Sequence, residues 1–142
     1  MFRIAVFLGA LLIISCSNAE DVPAKDKAAQ YVEAGNFDKA YKVLLPIAQA
    51  GDAEAQFGLA MLISNGYGSA QGKSDAEQDK LVLHWLKLST KGGNEKTRLW
   101  LADSYSNGWY GLEKNQELSN CYRDIGLDVS RCFQMSSEIT NE

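Results

Sequence analysis

Apolar residues recur at helical spacing through most of this chain. Ala55, Leu59, Leu62 and Ile63 fall on one helical face, and Leu81, Trp85 and Leu88 mark a second stripe. Nothing reads as a strand. The pattern predicts an all-α fold with helices over 25–34, 37–50, 53–64, 75–91, 95–106 and 115–127. Gly66 is placed to end the third helix in a left-handed conformation, which only glycine adopts cheaply. Pro46 falls inside the second helix, removes one backbone donor and predicts a kink there. The last residues, SSEITNE (136–142), are expected to fray.

Two of these helices repeat each other. Leu59-Ala60 followed by Asn65-Gly66 recurs as Leu101-Ala102 followed by Asn107-Gly108, a shift of 42 residues in both cases. The helix after each turn carries an aromatic residue, Trp85 in the first unit and Tyr122 in the second. The difference in length falls in the polar loop SAQGKSDAEQ. An earlier half-unit, NFDKAYKVLLPIAQAGDAEAQ, has its exit turn at Gly51-Asp52, as STKGGNEKTRL does at Gly92-Gly93-Asn94. A helix pair of this kind cannot bury its apolar face alone. Stacked pairs make a continuous core, so the expected architecture is a short α-solenoid of antiparallel helix pairs, about two and a half repeats.

These residues resemble the Sel-one-like repeat, a relative of the tetratricopeptide repeat. Ala53-Glu54-Ala55-Gln56-Phe57 and Leu59-Ala60 match its opening, and Asn65-Gly66-Tyr67-Gly68 matches its N-G-x-G turn. Trp85 takes the aromatic position of the second helix, and Gly93 the exit glycine. Asn36-Phe37-Asp38-Lys39-Ala40 matches the start of an upstream second helix. The second unit departs from the pattern: Thr97 and Arg98 replace the Ala-Gln pair, and Tyr110 is inserted before Gly111. The resemblance covers residues 28–127. It implies a groove that binds a peptide or a partner domain, and it names no partner.

Within that frame Gly58 raises a question, because mid-helix glycine costs about 1 kcal/mol relative to alanine. Gly58 holds the slot where the family carries Asn, and Trp100 holds the same slot one unit later. In the related arrays this slot tends to face the concave groove. Two readings stand. Gly58 opens a recess beside Trp100, filled by a partner group or the indole itself; or Trp100 is core and Gly58 makes room for a bulky neighbour. Tyr67, Trp109 and Tyr110 sit on the turns. They either fold back over the helix ends or form an interface hot spot.

The ends of the chain suggest export. Arg3 precedes an apolar run, residues 4–14, too short to span a membrane as a mature helix, and small and polar residues follow. That outlines a signal peptide. Ser17-Asn18-Ala19 before Glu20 fits ordinary cleavage, giving a leader of residues 1–19. Ile13-Ile14-Ser15-Cys16 fits a lipobox, with a leader of residues 1–15 and Cys16 as the candidate lipidation site. A short membrane anchor is a third reading. A linker over 20–24 and a repeat domain over 25–135 follow.

The net charge of −4 becomes about −5 without Arg3. Such a domain lacks the electrostatic footprint for nucleic acid. The Lys and Arg residues are scattered along the chain, and no basic patch for a lipid surface is expected. Either cleavage takes Cys16 out of the folded domain and leaves Cys121 and Cys132. Eleven positions apart in an exported chain, they suggest a disulfide contributing about 2–3 kcal/mol. There is no C-x-x-C motif for redox work.

Catalytic sets are hard to assemble. His84, beside Trp85, is the only histidine, so no Ser/His/Asp or Cys/His arrangement can avoid it. It reads as a surface or groove-edge residue. Asp75, Glu77 and Asp79 lie in a polar helix entry, where acids suit the helix dipole. No cofactor and no metal are expected, and catalysis is not. The sequence reads as a non-enzymatic interaction module of the bacterial envelope, an adaptor or regulator binding another envelope protein. The alternative is a periplasmic immunity protein that neutralises a secreted effector.

Overall fold

The computed structural model describes residues 23–139. The leader, both cleavage sites and Cys16 lie outside the described residues, as do 140–142. The described residues form seven α-helices: α1 (Ala24–Glu33), α2 (Phe37–Gln49), α3 (Ala53–Ser64), α4 (Asp75–Lys91), α5 (Glu95–Asn107), α6 (Gln116–Arg123) and α7 (Val129–Ile139). Two short 3-10 turns, Gly68–Ala70 and Trp109–Gly111, follow α3 and α5. There is no strand among the described residues.

Polar caps set the helix starts. Asp52 Oδ1 accepts from the Ala55 N–H at 2.8 Å, and Asn94 Oδ1 accepts from Thr97 N–H at 3.2 Å. Asn115 does the same for Leu118. Ser74 and Glu77 form a reciprocal capping box on α4. The caps Asp52 and Asn94 stand 42 residues apart, as do the starts of α3 and α5. The internal repeat is therefore carried in the caps as well as the core.

The core follows from the same register. Leu59, Ala60, Leu101 and Ala102, the repeated pair, are fully buried. Each helix packs chiefly on its neighbours in sequence, with α3 against α4 the most extensive contact. A buried polar seam joins three helices. Ser89 on α4 shares a hydrogen bond with Thr97 on α5 at 2.8 Å and donates to the Ala53 carbonyl at the start of α3. Gln56 is buried too, and its side-chain amide donates to the Ala48 carbonyl. α2 continues three residues past Pro46 to Gln49.

The C-terminal end differs from expectation. A single helix was expected over 115–127, but α6 stops at Arg123 and a seventh helix begins at Val129. Asp124 breaks the run. Its backbone is extended, and its carboxylate accepts from Gly126 N–H at 3.0 Å, a local turn that competes with the helix. Asp128 then accepts from Ser130 N–H at 2.9 Å at the start of α7. Arg98 spans the break, donating to the carbonyls of Tyr122, Asp124 and Leu127. α7 runs to Ile139, into the segment expected to fray, and Ser136 is buried.

Cys121 and Cys132 form the expected disulfide, tying α6 to α7. It lies beside an aromatic stack. Tyr105 and Tyr122 are parallel with ring centres 5.6 Å apart, and Phe133 of α7 meets Tyr122 edge-on at 5.7 Å. Burial pushes the hydroxyls of both tyrosines above the ordinary tyrosine range.

Candidate functional site

The residues singled out from the sequence separate into two groups. Trp100, Trp109 and Tyr110 come together on α5 and the turn after it. Gly58 and Tyr67 line a different feature between α2 and α3.

In the first group Trp100 is half-buried, and its indole N–H donates to the Tyr110 hydroxyl at 3.0 Å. Trp109 lies tilted against it with ring centres 6.1 Å apart. Phe57 of α3 meets the other side of Trp100 edge-on, also at 6.1 Å. The four rings thus bridge α3, α5 and the turn. Trp109 is 43% exposed, so the cluster presents a large aromatic surface to solvent. Rings held by hydrogen bonds and by one another lose little side-chain entropy when a partner arrives, which is what an anchor residue needs.

Tyr110 is the residue held under strain. Its φ is +58°, left-handed, and it is the only non-glycine residue with positive φ among those described. Gly68 fills the corresponding slot in the first turn with φ +62°. Such a conformation costs an ordinary residue about 1–2 kcal/mol. The Trp100–Tyr110 hydrogen bond is one contact that holds the side chain there, and strain of this sort gathers at binding and catalytic sites.

The second group lines an apolar recess of about 400 Å³. Its walls include Val32, Phe37, Leu44, Gly58, Met61 and Tyr67. Tyr67 folds onto Phe37 with ring centres 4.5 Å apart, so this turn aromatic packs back over a helix end. Val32 stands at the recess 42% exposed.

Gly58 does open a recess, but Trp100 is not part of it. A Cβ at position 58 would come within 2.9 Å of Leu44 Cδ1, so the bare position faces α2. The residue that reaches Trp100 is Phe57. One step along a helix turns a side chain by about 100°, which separates the two neighbours. The bulky group for which Gly58 makes room is Leu44. In the sequence Phe57 stands out only as part of the repeat opening; its place beside the glycine is the available signal.

Phe57 also lines a second depression, of about 360 Å³, with Glu54, Asn94, Glu95 and Lys96 between the starts of α3 and α5. Lys25 of α1 bridges Asp52 and Glu54 at 3.0 and 3.1 Å. These pairs are partly exposed and add little to stability.

His84 is exposed on α4 and stacks edge-on against Trp85 at 5.2 Å. Glu77 is occupied in the α4 cap. Among the described residues no group of three or more His, Cys, Asp or Glu side chains is placed to hold a metal ion. No described helix is long and apolar enough to cross a membrane. No family model, no curated protein and no solved structure matches the chain.

Proposed function

We propose that this chain is a non-enzymatic interaction module of the bacterial envelope, built as a short Sel-one-like α-solenoid. It binds another envelope protein through the face that carries Phe57, Trp100 and Trp109. The observation that carries this reading is the aromatic cluster itself. An exposed tryptophan is braced by a second one, and that one is oriented by a tyrosine in a costly backbone conformation. Packing of Tyr110 against the core and its bond to Trp100 offset that cost for the fold. A binding surface gains a pre-formed anchor.

The apolar recess around Gly58 and Met61 supports the same reading. It shares α3 with Phe57 and suits one apolar side chain from the same partner. The 42-residue spacing of caps and core pairs supports the solenoid. The apolar leader and the Cys121–Cys132 disulfide support an oxidising, exported location.

Affinity capture from an envelope fraction tests this, with wild type beside Trp109→Ala. Trp109 is the better probe than Trp100, because its exposure lets it be removed without opening the core. A central aromatic anchor is worth about 2 kcal/mol or more, so one partner is expected to fall at least tenfold in the variant. An equal catch with both forms would remove this surface from the account.

A further inference from the structure

A line of basic side chains on α4 lies apart from the aromatic cluster and the apolar recess. Lys80, His84, Lys87 and Lys91 are separated by four, three and four residues. At about 100° per residue, that spacing keeps them within about 60° of arc along about 16 Å of helix. The opposite side of α4 buries Val82, Leu86 and Ser89. Lys73, just before the helix, extends the line: Lys73, Glu77, Lys80, Leu81 and His84 share one shallow depression of about 440 Å³. The sequence reading of scattered cations is corrected here, because the helix aligns residues that the chain spaces apart.

The Glu77 carboxylate lies within electrostatic reach of Lys73 and Lys80 and offsets part of their charge, so the row is cationic on balance and not unopposed. Glu77, the acid on this face, is turned back onto the helix start, where the Ser74 N–H and hydroxyl donate to it at 2.9 and 2.7 Å. None of the ion pairs among the described residues includes these four lysines. At the far end Lys91 lies over the Phe133 ring at 4.9 Å. Burial, and then the neighbouring Lys91, hold Lys87 below the usual lysine range. Charges elsewhere on the chain that lie beyond about 8–10 Å are largely screened, so the row acts locally as a cationic surface despite the net charge of −4.

We infer that this face of α4 docks an acidic amphipathic helical segment of a partner protein. Carboxylates at three- and four-residue spacing lie alongside the lysines, as charged rows do between paired helices. An apolar side chain beside them enters the depression against Leu81. Two observations select such a segment over an anionic bilayer. The row is a line one helix wide, whereas a bilayer is a plane that basic groups from several elements would meet together. The depression pairs a leucine with a charged rim, which matches an apolar residue flanked by acids. Asp79, whose carboxylate borders Gly111 of the second turn, lies about 100° round the helix from Lys80, so the row is set apart from the aromatic site.

The test uses the full chain and two probes: a synthetic helical peptide about three heptads long, with Glu in a three-and-four pattern beside a leucine seam, and vesicles of phosphatidylglycerol with phosphatidylethanolamine. Wild type is expected to bind the peptide, more weakly as salt rises, and to ignore the vesicles. Lys80→Glu with Lys87→Glu should weaken peptide binding about tenfold or more. The milder pair Lys80→Gln with Lys87→Gln should fall between, and guards against a folding defect in the reversal. Trp109→Ala should bind the peptide as wild type does, which separates this surface from the aromatic one. No peptide binding by wild type, or equal binding by both charge variants, would overturn the inference. Vesicle binding that is lost in the variants would overturn it in favour of a lipid surface.

Discussion

Three glycines and a tyrosine show how one position decides what a turn or helix can carry. Gly58 and Gly68 look alike in the sequence and differ physically. A Cβ at 58 meets only the end of Leu44, which borders an open recess and can swing into it. Alanine there also gains about 1 kcal/mol of helix propensity. A Cβ at 68 meets the Tyr41 ring at 2.2–2.6 Å, and φ is +62° besides. Thermal or urea unfolding should therefore find Gly58→Ala within about 1 kcal/mol of wild type, and Gly68→Ala destabilised by about 2–4 kcal/mol. The reverse order would show that the first turn is not seated on α2 as described. At this scale the sequence was half legible. It marked Gly58, Trp100, Trp109, Tyr110 and Tyr67, but it paired Gly58 with Trp100. The pairing failed because positions 57 and 58 point about 100° apart, and no residue pattern says which of them a neighbouring helix will meet. The left-handed Tyr110 became interpretable only beside Gly111, whose φ is +70°, and Gly68 in the equivalent turn.

The helices were legible wherever a polar cap stands before an apolar stripe. Asp52, Ser74 and Asn94 announce α3, α4 and α5, and those starts fall where expected. The C-terminal break was not legible, because Leu118, Cys121, Tyr122 and Ile125 prolong a helical pattern across it. Ile125 is in fact 71% exposed, outside any helix. The disulfide ties the separate α7 to α6. Replacing Cys121 and Cys132 together by alanine should lower stability by about 3 kcal/mol in denaturant unfolding, the loop-closure contribution for a loop of this length. A loss confined to α7 would appear as faster hydrogen exchange over Val129–Ile139. No change in either would mean that packing of Phe133 on Tyr122 holds α7 alone.

The caps also set a pH dependence. Asp52 is held below the usual carboxylate range, first by the Ala55 N–H and then by Lys25. Glu77 and Asp128 are lowered by their own backbone donors. A carboxylate whose folded value is depressed contributes stability above its unfolded value, near pH 4, and loses it as pH falls through the folded value. Stability should thus be flat from neutrality to about pH 5 and decline below about pH 4. Asp52→Asn keeps a capping oxygen but removes the charge, so it should shrink that decline. An identical acid limb in the variant would exclude Asp52 as a contributor.

For the whole molecule, the helical class and the disulfide were readable from periodicity and cysteine spacing. The surface was not. The basic side chains of α4, Lys80, His84, Lys87 and Lys91, stand four, three and four apart, yet they read as scattered until the helix sets them in line. The molecule presents two chemically distinct faces, one aromatic around Trp109 and one cationic along α4. The aromatic face carries the central claim, and a photo-crosslinker placed at position 109 in living cells tests it most directly. The control position is Asn120, exposed on α6. One discrete adduct is expected from position 109 and none from 120. Equal labelling from both positions, or none from 109, would contradict it.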